Sequence, residues 1–180
     1  MLSLRNTGHG KTMLEPGKIP VQWNAEDFYT LDYKKDTIKT SYSLQQYIES
    51  GHREDCIEIY NYFEPNPMPA GVEQTRVHFE LLGYRNISIA VNLFNPGKYV
   101  PIHLDLYQRY KAFHILSDET VHRFIVMLED NEHGQILQIS NHCISDWSAG
   151  DYFGWADSAH HAFYNFSMLP RYALQVTATQ

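Results

Sequence analysis

A histidine and an aspartate stand two residues apart at the end of an apolar run in the segment PIHLD, residues 101–105. If this segment is an extended strand, residues i and i+2 project to the same face. His103 and Asp105 then point together, while Leu104 points away. An imidazole and a carboxylate aimed at one point can bind a divalent metal, but they can equally form a simple hydrogen bond. The pair alone leaves both interpretations open.

A metal site needs a third ligand, and two adjacent histidines near the C terminus, His160 and His161, are candidates. Because neighbouring side chains of a strand face opposite ways, only one of them can point into the protein. Two histidines and one carboxylate form a facial triad, which leaves three positions free on Fe(II) for oxygen and a bidentate co-substrate. Arg171 follows ten residues after His161. A buried arginine needs an anionic partner, and its planar fork suits a carboxylate.

Short segments rich in β-formers, separated by turn signals, run from residue 85 to the C terminus. They predict strands at residues 87–94, 98–104, 123–129, 135–140, 150–155, 160–165 and 171–178. Strands at a spacing of roughly 8–12 residues are typical of a β-sandwich or barrel. A jelly roll of two sheets fits this pattern best.

The N-terminal part has less regular patterns. Residues 1–40 show no sustained period and are predicted to be irregular. Ser43 is a suitable N-cap for a short helix that Gly51 ends. Three prolines between residues 64 and 70 predict a loop, and residues 72–83 fit a helix better than a strand.

The composition is that of one ordinary globular domain, with 180 residues, 43% hydrophobic and 19% charged. We therefore expect a single, mainly β domain. Residues 85–180 are predicted to form a cupin-like double-stranded β-helix, or jelly roll. Residues 1–84 are predicted to be a partly helical N-terminal extension packed on its outside.

The charge distribution argues against binding to nucleic acid, because the formal net charge is −7 and the basic residues are scattered. The sequence contains neither an apolar run that could span a membrane nor a recognisable signal peptide. Its two cysteines are too few for a disulfide framework. We expect a cytoplasmic protein without nucleic-acid or membrane partners, and its oligomeric state is unknown.

Four segments together resemble the non-haem Fe(II)/2-oxoglutarate-dependent oxygenases: PGKYVPIHLD, RFIVMLED, WSAGDYFGW and HHAFYNFSMLPRYALQVT. The most similar branch is that of the aspartyl/asparaginyl β-hydroxylases and their small bacterial and phage relatives. That group has a PG turn before HxD, an arginine on an apolar strand, a G-[DE] turn and the pattern H-x-x-x-N-x5-R-x-x-L. His161, Asn165, Arg171 and Leu174 match the last pattern position for position. The resemblance covers residues 85–180.

This resemblance implies that His103, Asp105 and His161 bind Fe(II). The family usually has ten or so residues between the last ligand and the arginine, which favours His161. A gap of eleven residues also occurs in related oxygenases and would select His160 instead.

The resemblance also implies a site for the co-substrate 2-oxoglutarate, which chelates the metal through its C1 carboxylate and keto oxygen. Arg171 is expected to bind the distal carboxylate, helped by a nearby hydroxyl such as that of Thr177 or Tyr172. A second arginine also contacts the co-substrate in this branch, and Arg123 occupies the matching position.

The reaction implied is the oxidative decarboxylation of 2-oxoglutarate by O2 to succinate and CO2, with ascorbate as a reductant and hydroxylation of a substrate C–H bond. Halogenases of this superfamily lack the metal-binding carboxylate, so Asp105 favours hydroxylation. The segment after HxD often borders the substrate pocket, and its candidates for substrate contact are Tyr107, Arg109 and Tyr110. They can equally be residues that merely cover the mouth of the barrel. The expected substrate is a small molecule, an amino acid or a short peptide.

Two other functions are compatible with the same barrel. One is a non-catalytic cupin-like protein that binds a metal or ligand without turnover. The other is a metal-dependent isomerase, or a dioxygenase that does not use 2-oxoglutarate. Arg171 argues against both, because a barrel without a dicarboxylate co-substrate has little reason to place an arginine ten residues beyond a metal ligand.

Overall fold

The computed structural model describes residues 13–36 and 40–180, which form eleven strands and four α-helices. The strands are β1 (Gly17–Lys18), β2 (Lys34–Lys35), β3 (Tyr60–Phe63), β4 (Arg85–Phe94), β5 (Lys98–His103), β6 (Val121–Met127), β7 (Gln135–Ile139), β8 (His142–Ile144), β9 (Asp151–Ala156), β10 (His161–Asn165) and β11 (Arg171–Thr179). The helices are α1 (Glu26–Tyr29), α2 (Leu44–Glu49), α3 (Val72–Leu81) and α4 (Gln108–His114), with a 3-10 turn at Glu54–Cys56. No helix in this part of the chain is long and apolar enough to cross a membrane.

The strands form two antiparallel sheets. The larger has the order β1-β9-β6-β11-β4-β3-β2 and the smaller has the order β5-β10-β7-β8. One buried cluster contains side chains from both sheets, including Ile125 and Ala173 of the larger and Leu137 and Phe163 of the smaller. The two sheets therefore enclose a common interior, as the predicted double-stranded β-helix requires.

The opposite face of the larger sheet is also covered. Because side chains alternate along a strand, Phe124 and Leu174 point outward, away from the sheet-to-sheet interior. They pack in a second cluster with Phe79 of α3, whose ring centroid lies 4.5 Å from that of Phe124. The N-terminal part thus packs on the outside of the jelly roll, as predicted.

The N-terminal part also contributes strands, which the sequence patterns did not predict. β3 pairs with β4, β2 pairs with β3, and β1 pairs with β9 at the other edge of the larger sheet. β1 and β2 have only two residues each, too few for a recognisable alternation. The N-terminal residues therefore extend the sheet at both edges as well as covering it.

Most of the predicted elements are confirmed. Each of the seven predicted strands is present, and the three-residue strand β8 is an eighth from residue 85 onward. The side chain of Ser43 caps α2 and forms a capping box with Gln46. The turn between β4 and β5 contains Gly97 at a φ of +76°, a conformation that suits glycine. Residues 1–12 and 37–39 of the segment predicted to be irregular lie outside the described residues.

Asn165 holds the connection between β10 and β11. Its buried Nδ2 donates hydrogen bonds to the carbonyl oxygens of Phe94 and Leu169 at 2.8 and 2.9 Å. Its Oδ1 accepts hydrogen bonds from the backbone N and Oγ of Ser167 at 3.1 and 2.7 Å. This asparagine therefore fixes the loop that separates His161 from Arg171.

We expect Asn165→Ala to lower the free energy of unfolding by about 2–4 kcal/mol, because it leaves several buried polar groups unpaired. Urea denaturation measures the change. Asn66→Ala is a matched control, since Asn66 is exposed and its side chain donates one hydrogen bond, to the carbonyl oxygen of Phe63. An equal effect of the two substitutions would contradict the structural role of Asn165.

Candidate metal centre

The pairing of β5 with β10 brings three candidate metal ligands together. His103 ends β5, His161 begins β10, and the two are register partners. Asp105 lies two residues beyond the end of β5. Its Oδ1 is 3.7 Å from Nε2 of His103, and its Oδ2 is 3.3 Å from Nε2 of His161. One ligand atom from each residue lies within 4.8 Å of the other two.

Backbone carbonyls orient both imidazoles in the same way. Nδ1 of His103 lies 2.7 Å from the carbonyl oxygen of Pro101, and Nδ1 of His161 lies 3.0 Å from that of Ala159. Because a carbonyl oxygen only accepts hydrogen bonds, each Nδ1 carries the proton. Each Nε2 then keeps its lone pair and faces Asp105. This is the tautomer in which histidine binds a metal through Nε2.

The electrostatics of the cluster favour the ligand forms of these groups. Burial lowers the pKa of His161, which is only 1% exposed, so its imidazole stays neutral. Burial opposes ionisation of Asp105, but the Arg123 guanidinium and the two histidines outweigh it and hold the pKa of that carboxyl well below its ordinary value. Nη1 of Arg123 lies 3.0 Å from Oδ2 of Asp105.

The donor set fits a six-coordinate transition metal. Two donors bound at about 2.1 Å in adjacent octahedral positions lie about 3 Å apart. Oδ2 of Asp105 lies 3.3 Å from Nε2 of His161 and Oδ1 lies 3.7 Å from Nε2 of His103, and the three ligand atoms lie within 4.8 Å of one another, so they must move closer together to bind one ion. Two imidazoles and one carboxylate are the ligands of the Fe(II) facial triad. Of the adjacent histidines, His161 contributes to this cluster, whereas His160 is exposed.

Arg171, at the start of β11, is buried, and no counter-charge faces it among the residues that the structure describes. It is 3% exposed, and its Nη1 donates to the carbonyl oxygen of Ile136 at 3.3 Å. Its guanidinium carbon lies 4.8 Å from the centroid of the Trp147 ring. In the described part of the chain its Nε has no hydrogen-bond partner and no carboxylate forms an ion pair with it. Burial lowers the pKa of Arg171 from 12.5 to about 9.

The guanidinium and the candidate metal ligands occupy the same interior. The ring of Phe163 lies 5.6 Å from the guanidinium carbon of Arg171 and 6.0 Å from the ring of His161. Ile136, which contacts Arg171, stands three residues from Ile139, the β7 partner of His161. Three residues of a strand span about 10 Å. The buried cation therefore lies about 10 Å along the strands from the candidate metal ligands.

Two hydroxyls expected near Arg171 lie elsewhere. Thr177 is six residues further along β11 and pairs with Arg123, so it lies at the metal end, about 20 Å from Arg171 along the strand. Its hydroxyl is too far from Arg171 to bind the same carboxylate. Tyr172 projects from the opposite face of the sheet, where its ring packs 4.9 Å from that of Tyr29.

The three residues expected to contact substrate have different environments. Tyr107 is buried beside the cluster, with the guanidinium carbon of Arg123 4.8 Å from its ring centroid. Arg109 is exposed on α4. Tyr110 is half-buried, and its hydroxyl donates to the carbonyl oxygen of Asn86 at 2.7 Å. Of these three residues, Tyr107 is the one whose side chain contacts Arg123, which itself lies beside Asp105.

Sequence reasoning missed two tryptophans. Trp155 is fully buried, and its ring lies 4.3 Å from that of His161. Trp147 packs against the guanidinium of Arg171. The alternation of β9 places Trp155 on the same face as Phe153, but nothing in the sequence says which face is the inner one. A third residue alongside the cluster, Arg123, was identified from the family resemblance alone.

We expect the buried imidazole of His161 to make the metal-free protein less stable in acid. Its pKa is lowered from 6.5 on folding, so the unfolded chain takes up the proton first as the pH falls. Stability is then lost below pH 6.5 until the folded pKa is reached, by up to about 1.4 kcal/mol per pH unit from this group. Urea denaturation from pH 7 to about 5 should give a shallower slope for His161→Gln. Identical slopes for the two proteins would contradict this expectation.

Comparisons with known proteins agree on the fold. No protein-family model and no curated protein matches the sequence. Among solved structures, a Pseudomonas putida prolyl-4-hydroxylase matches with a TM-score of 0.54 and 12% identity, over 87% of this chain and 96% of that one. A Trichoplax adhaerens prolyl hydroxylase in complex with a peptide fragment of the hypoxia inducible factor oxygen degradation domain matches with a TM-score of 0.54 and 10% identity, over 86% of each chain.

A third match is the viral collagen prolyl hydroxylase of Paramecium bursaria Chlorella virus-1 in its 2OG complex, with a TM-score of 0.50 and 14% identity, over 84% of this chain and 98% of that one. At such identities the likeness shows the fold alone. The chain has the double-stranded β-helix fold of these prolyl hydroxylases, and the comparisons do not single out the aspartyl/asparaginyl branch.

Proposed function

We propose that the protein is an Fe(II)- and 2-oxoglutarate-dependent dioxygenase that hydroxylates a small molecule, an amino acid or a peptide side chain. The observation that carries this proposal is the cation of Arg171, which has no carboxylate partner among the described residues and is buried in the same interior as the His103, Asp105 and His161 cluster. A buried charge without a partner is costly, so a protein retains it where a ligand completes it.

His103, Asp105 and His161 would hold the iron. When bound, the iron and 2-oxoglutarate supply the oxidation: O2 and 2-oxoglutarate give succinate and CO2, and one oxygen atom enters the substrate C–H bond. The protein's contribution is to keep both Nε2 atoms unprotonated through the carbonyls of Pro101 and Ala159. Halogenases of this superfamily lack the carboxylate that Asp105 would supply to the metal, which favours hydroxylation over halogenation.

Arg171 would bind the distal carboxylate of the co-substrate through its guanidinium fork. The spacing supports this role. A five-carbon dicarboxylate, with a hydrogen bond at one end and metal bonds at the other, spans a distance similar to the roughly 10 Å between the guanidinium and the ligand level. The apolar surroundings of Trp147, Phe163 and Met127 exclude water, so the ion pair would form in a medium of low polarity.

Arg123 would act at the metal end of the co-substrate. One of its nitrogens is engaged with Asp105, and its Nε has no partner among the described residues. This N–H would donate a hydrogen bond to an oxygen of the co-substrate. Arg123 also stabilises the ionised form of Asp105, the form in which that carboxylate would hold the metal.

The substrate is proposed by class only. The Trichoplax adhaerens protein is in complex with a peptide fragment, and all three neighbours are prolyl hydroxylases. Peptides that contain proline therefore belong in a substrate panel beside free amino acids. Tyr107, Arg109 and Tyr110 lie at or next to α4, directly after the metal-binding segment, and are proposed to contact the substrate.

The test is the release of succinate from 2-oxoglutarate in the presence of Fe(II), ascorbate and O2, first without substrate and then with the panel. We expect slow uncoupled turnover that a chelator abolishes, and faster turnover with a true substrate. Iron binding without any consumption of 2-oxoglutarate would refute the dioxygenase. Absence of both would favour the non-catalytic cupin-like protein.

A further inference from the structure

Three aromatic rings surround the buried guanidinium of Arg171. Its carbon lies 4.8 Å from the ring centroid of Trp147, 5.6 Å from that of Phe163 and 5.8 Å from that of Phe94. Because the face of an aromatic ring attracts a cation, and Trp does so most strongly, these contacts hold the guanidinium in the ligand-free protein. The ring of Trp147 is the nearest of the three, so its position bears most directly on that of the cation.

Trp147 enters the interior from the end of the barrel opposite to the candidate metal ligands. β6 begins at the metal end and finishes at Met127, which pairs with Ala173, two residues from Arg171. The backbone N of Asn131, four residues beyond Met127, donates to the carbonyl oxygen of Trp147 at 3.0 Å. The indole itself is 6% exposed and belongs to the cluster between the two sheets. Its ring therefore stands behind the guanidinium, as seen from the metal end.

The loop between β8 and β9, which carries Trp147, is fixed by further hydrogen bonds. Nδ2 of Asn131 donates to the carbonyl oxygen of Ser145 at 2.7 Å. The backbone N of Ala149 donates to Oδ1 of Asp130 at 2.8 Å. These bonds lie on both sides of Trp147 in the chain. The indole cannot withdraw without breaking them, and it blocks the retreat of the cation in front of it.

We propose that Trp147 is a positioning residue that fixes how deep Arg171 lies, and that it thereby sets the length of the dicarboxylate that the protein accepts. This inference rests on the proposed function, in which Arg171 binds the distal carboxylate of the co-substrate. The candidate metal ligands at one end and the fixed guanidinium at the other define a constant span. A keto diacid with one more methylene would press its carboxylate against a cation that has no room to withdraw.

A purely structural role for Trp147 makes a different prediction. If the indole only fills the interior, its replacement lowers stability and weakens the binding of keto diacids of every length to the same extent. If it fixes the depth of Arg171, its replacement changes the preference between acids of different length. The ratio of two affinities therefore separates the two roles, because a general loss of stability cancels from it.

The experiment compares 2-oxoglutarate with 2-oxoadipate, which is one methylene longer, and with oxaloacetate, which is one methylene shorter. Mn(II) takes the place of iron, so that calorimetric titration measures binding without turnover. One methylene more or less in an apolar pocket changes recognition about 10–200-fold. We expect the unmodified protein to bind 2-oxoglutarate at least about ten-fold more tightly than 2-oxoadipate.

Trp147→Leu removes the ring behind Arg171 and leaves space into which the guanidinium can move. We expect the ratio of the 2-oxoglutarate affinity to the 2-oxoadipate affinity to fall by about ten-fold. The corresponding ratio of 2-oxoglutarate to oxaloacetate should not fall, because the cation can only recede from the metal end. An improvement for the shorter acid instead of the longer one would contradict the proposed geometry.

Trp23→Leu is the matched control, because it is the same substitution at a similarly buried position. Trp23 is 8% exposed and lies in the other core cluster, where its Nε1 donates to the carbonyl oxygen of Leu128 at 2.9 Å. We expect this variant to lose stability in urea and to keep both affinity ratios of the unmodified protein. If Trp147→Leu does not fold, Trp147→Phe replaces it. Its smaller ring should lower the ratio of 2-oxoglutarate to 2-oxoadipate by about three-fold.

The inference is overturned if the unmodified protein binds 2-oxoglutarate and 2-oxoadipate equally well. It is also overturned if the substitutions at Trp147 leave the ratio unchanged, or if Trp23→Leu lowers it equally. Each of these results leaves the proposed function intact, because 2-oxoglutarate still binds. If none of the three acids binds to the Mn(II)-loaded protein, the proposed co-substrate is wrong and the inference is wrong with it.

Discussion

Replacement of His161 by alanine is expected to abolish iron binding, whereas the same replacement of its neighbour His160 leaves binding unchanged. His161 is buried with its Nε2 3.3 Å from Asp105, while His160 is exposed and stands outside the cluster. Loss of a group that merely orients a ligand typically weakens metal binding 10–100-fold, so loss of a ligand should exceed about 100-fold. Calorimetric titration with Fe(II) under anaerobic conditions, or with Mn(II), measures the affinities.

The two variants control for each other, because they remove the same side chain one residue apart. His161→Gln is a third variant, since it retains a polar side chain and does not leave a large cavity at a buried position. We expect it to fold, as judged by circular dichroism, and yet to bind metal as poorly as His161→Ala. Retained affinity in both His161 variants, or equal losses at positions 160 and 161, would exclude His161 as a ligand.

Local periodicity predicted the parts of the site that lie within a few residues of each other. The i, i+2 spacing placed His103 and Asp105 on one side, and Nε2 of His103 is indeed 3.7 Å from Oδ1 of Asp105. Alternation also required that only one of the adjacent histidines be buried. Which one it is depended on the spacing to Arg171, and therefore on a family resemblance rather than on the period of the strand.

Contacts between strands that are far apart in the chain could not be predicted from the sequence. The ion pair between Arg123 and Asp105 depends on β6 reaching the end of β5, and no local pattern encodes that contact. Thr177 is a second example of this limit. It shares a strand face with Arg171, as parity predicts, but its register partner Arg123 shows that it belongs to the metal end. Whether a residue is at an odd or even position in a strand predicts the face to which its side chain points. Its function also depends on how far along the barrel axis it lies.

Arg171→Met is expected to raise the free energy of unfolding and, at the same time, to lower the affinity for 2-oxoglutarate. The substitution removes a buried charge that has no anionic partner in the described residues and leaves a flexible apolar side chain near Trp147 and Phe163. Replacing buried charges with apolar residues of similar size often stabilises a protein by 1–4 kcal/mol, so the ligand-free variant should gain about that much in free energy of unfolding. Its affinity for 2-oxoglutarate should fall by about 100–1,000-fold, because the distal carboxylate would lose a charged partner in an apolar site.

Arg76→Met provides the contrast that makes this result specific. Arg76 is also partly buried, but it is paired with Glu64 and its Nη1 donates to the carbonyl oxygen of Ile87 at 2.6 Å. Its replacement should destabilise the protein and leave the affinity for 2-oxoglutarate unchanged. Urea denaturation and titration of the metal-loaded proteins give both quantities for each variant. If Arg171→Met destabilised the protein like Arg76→Met and bound 2-oxoglutarate normally, Arg171 would be a structural residue. The main support for the dioxygenase would then be lost, because the buried cation would no longer require a ligand.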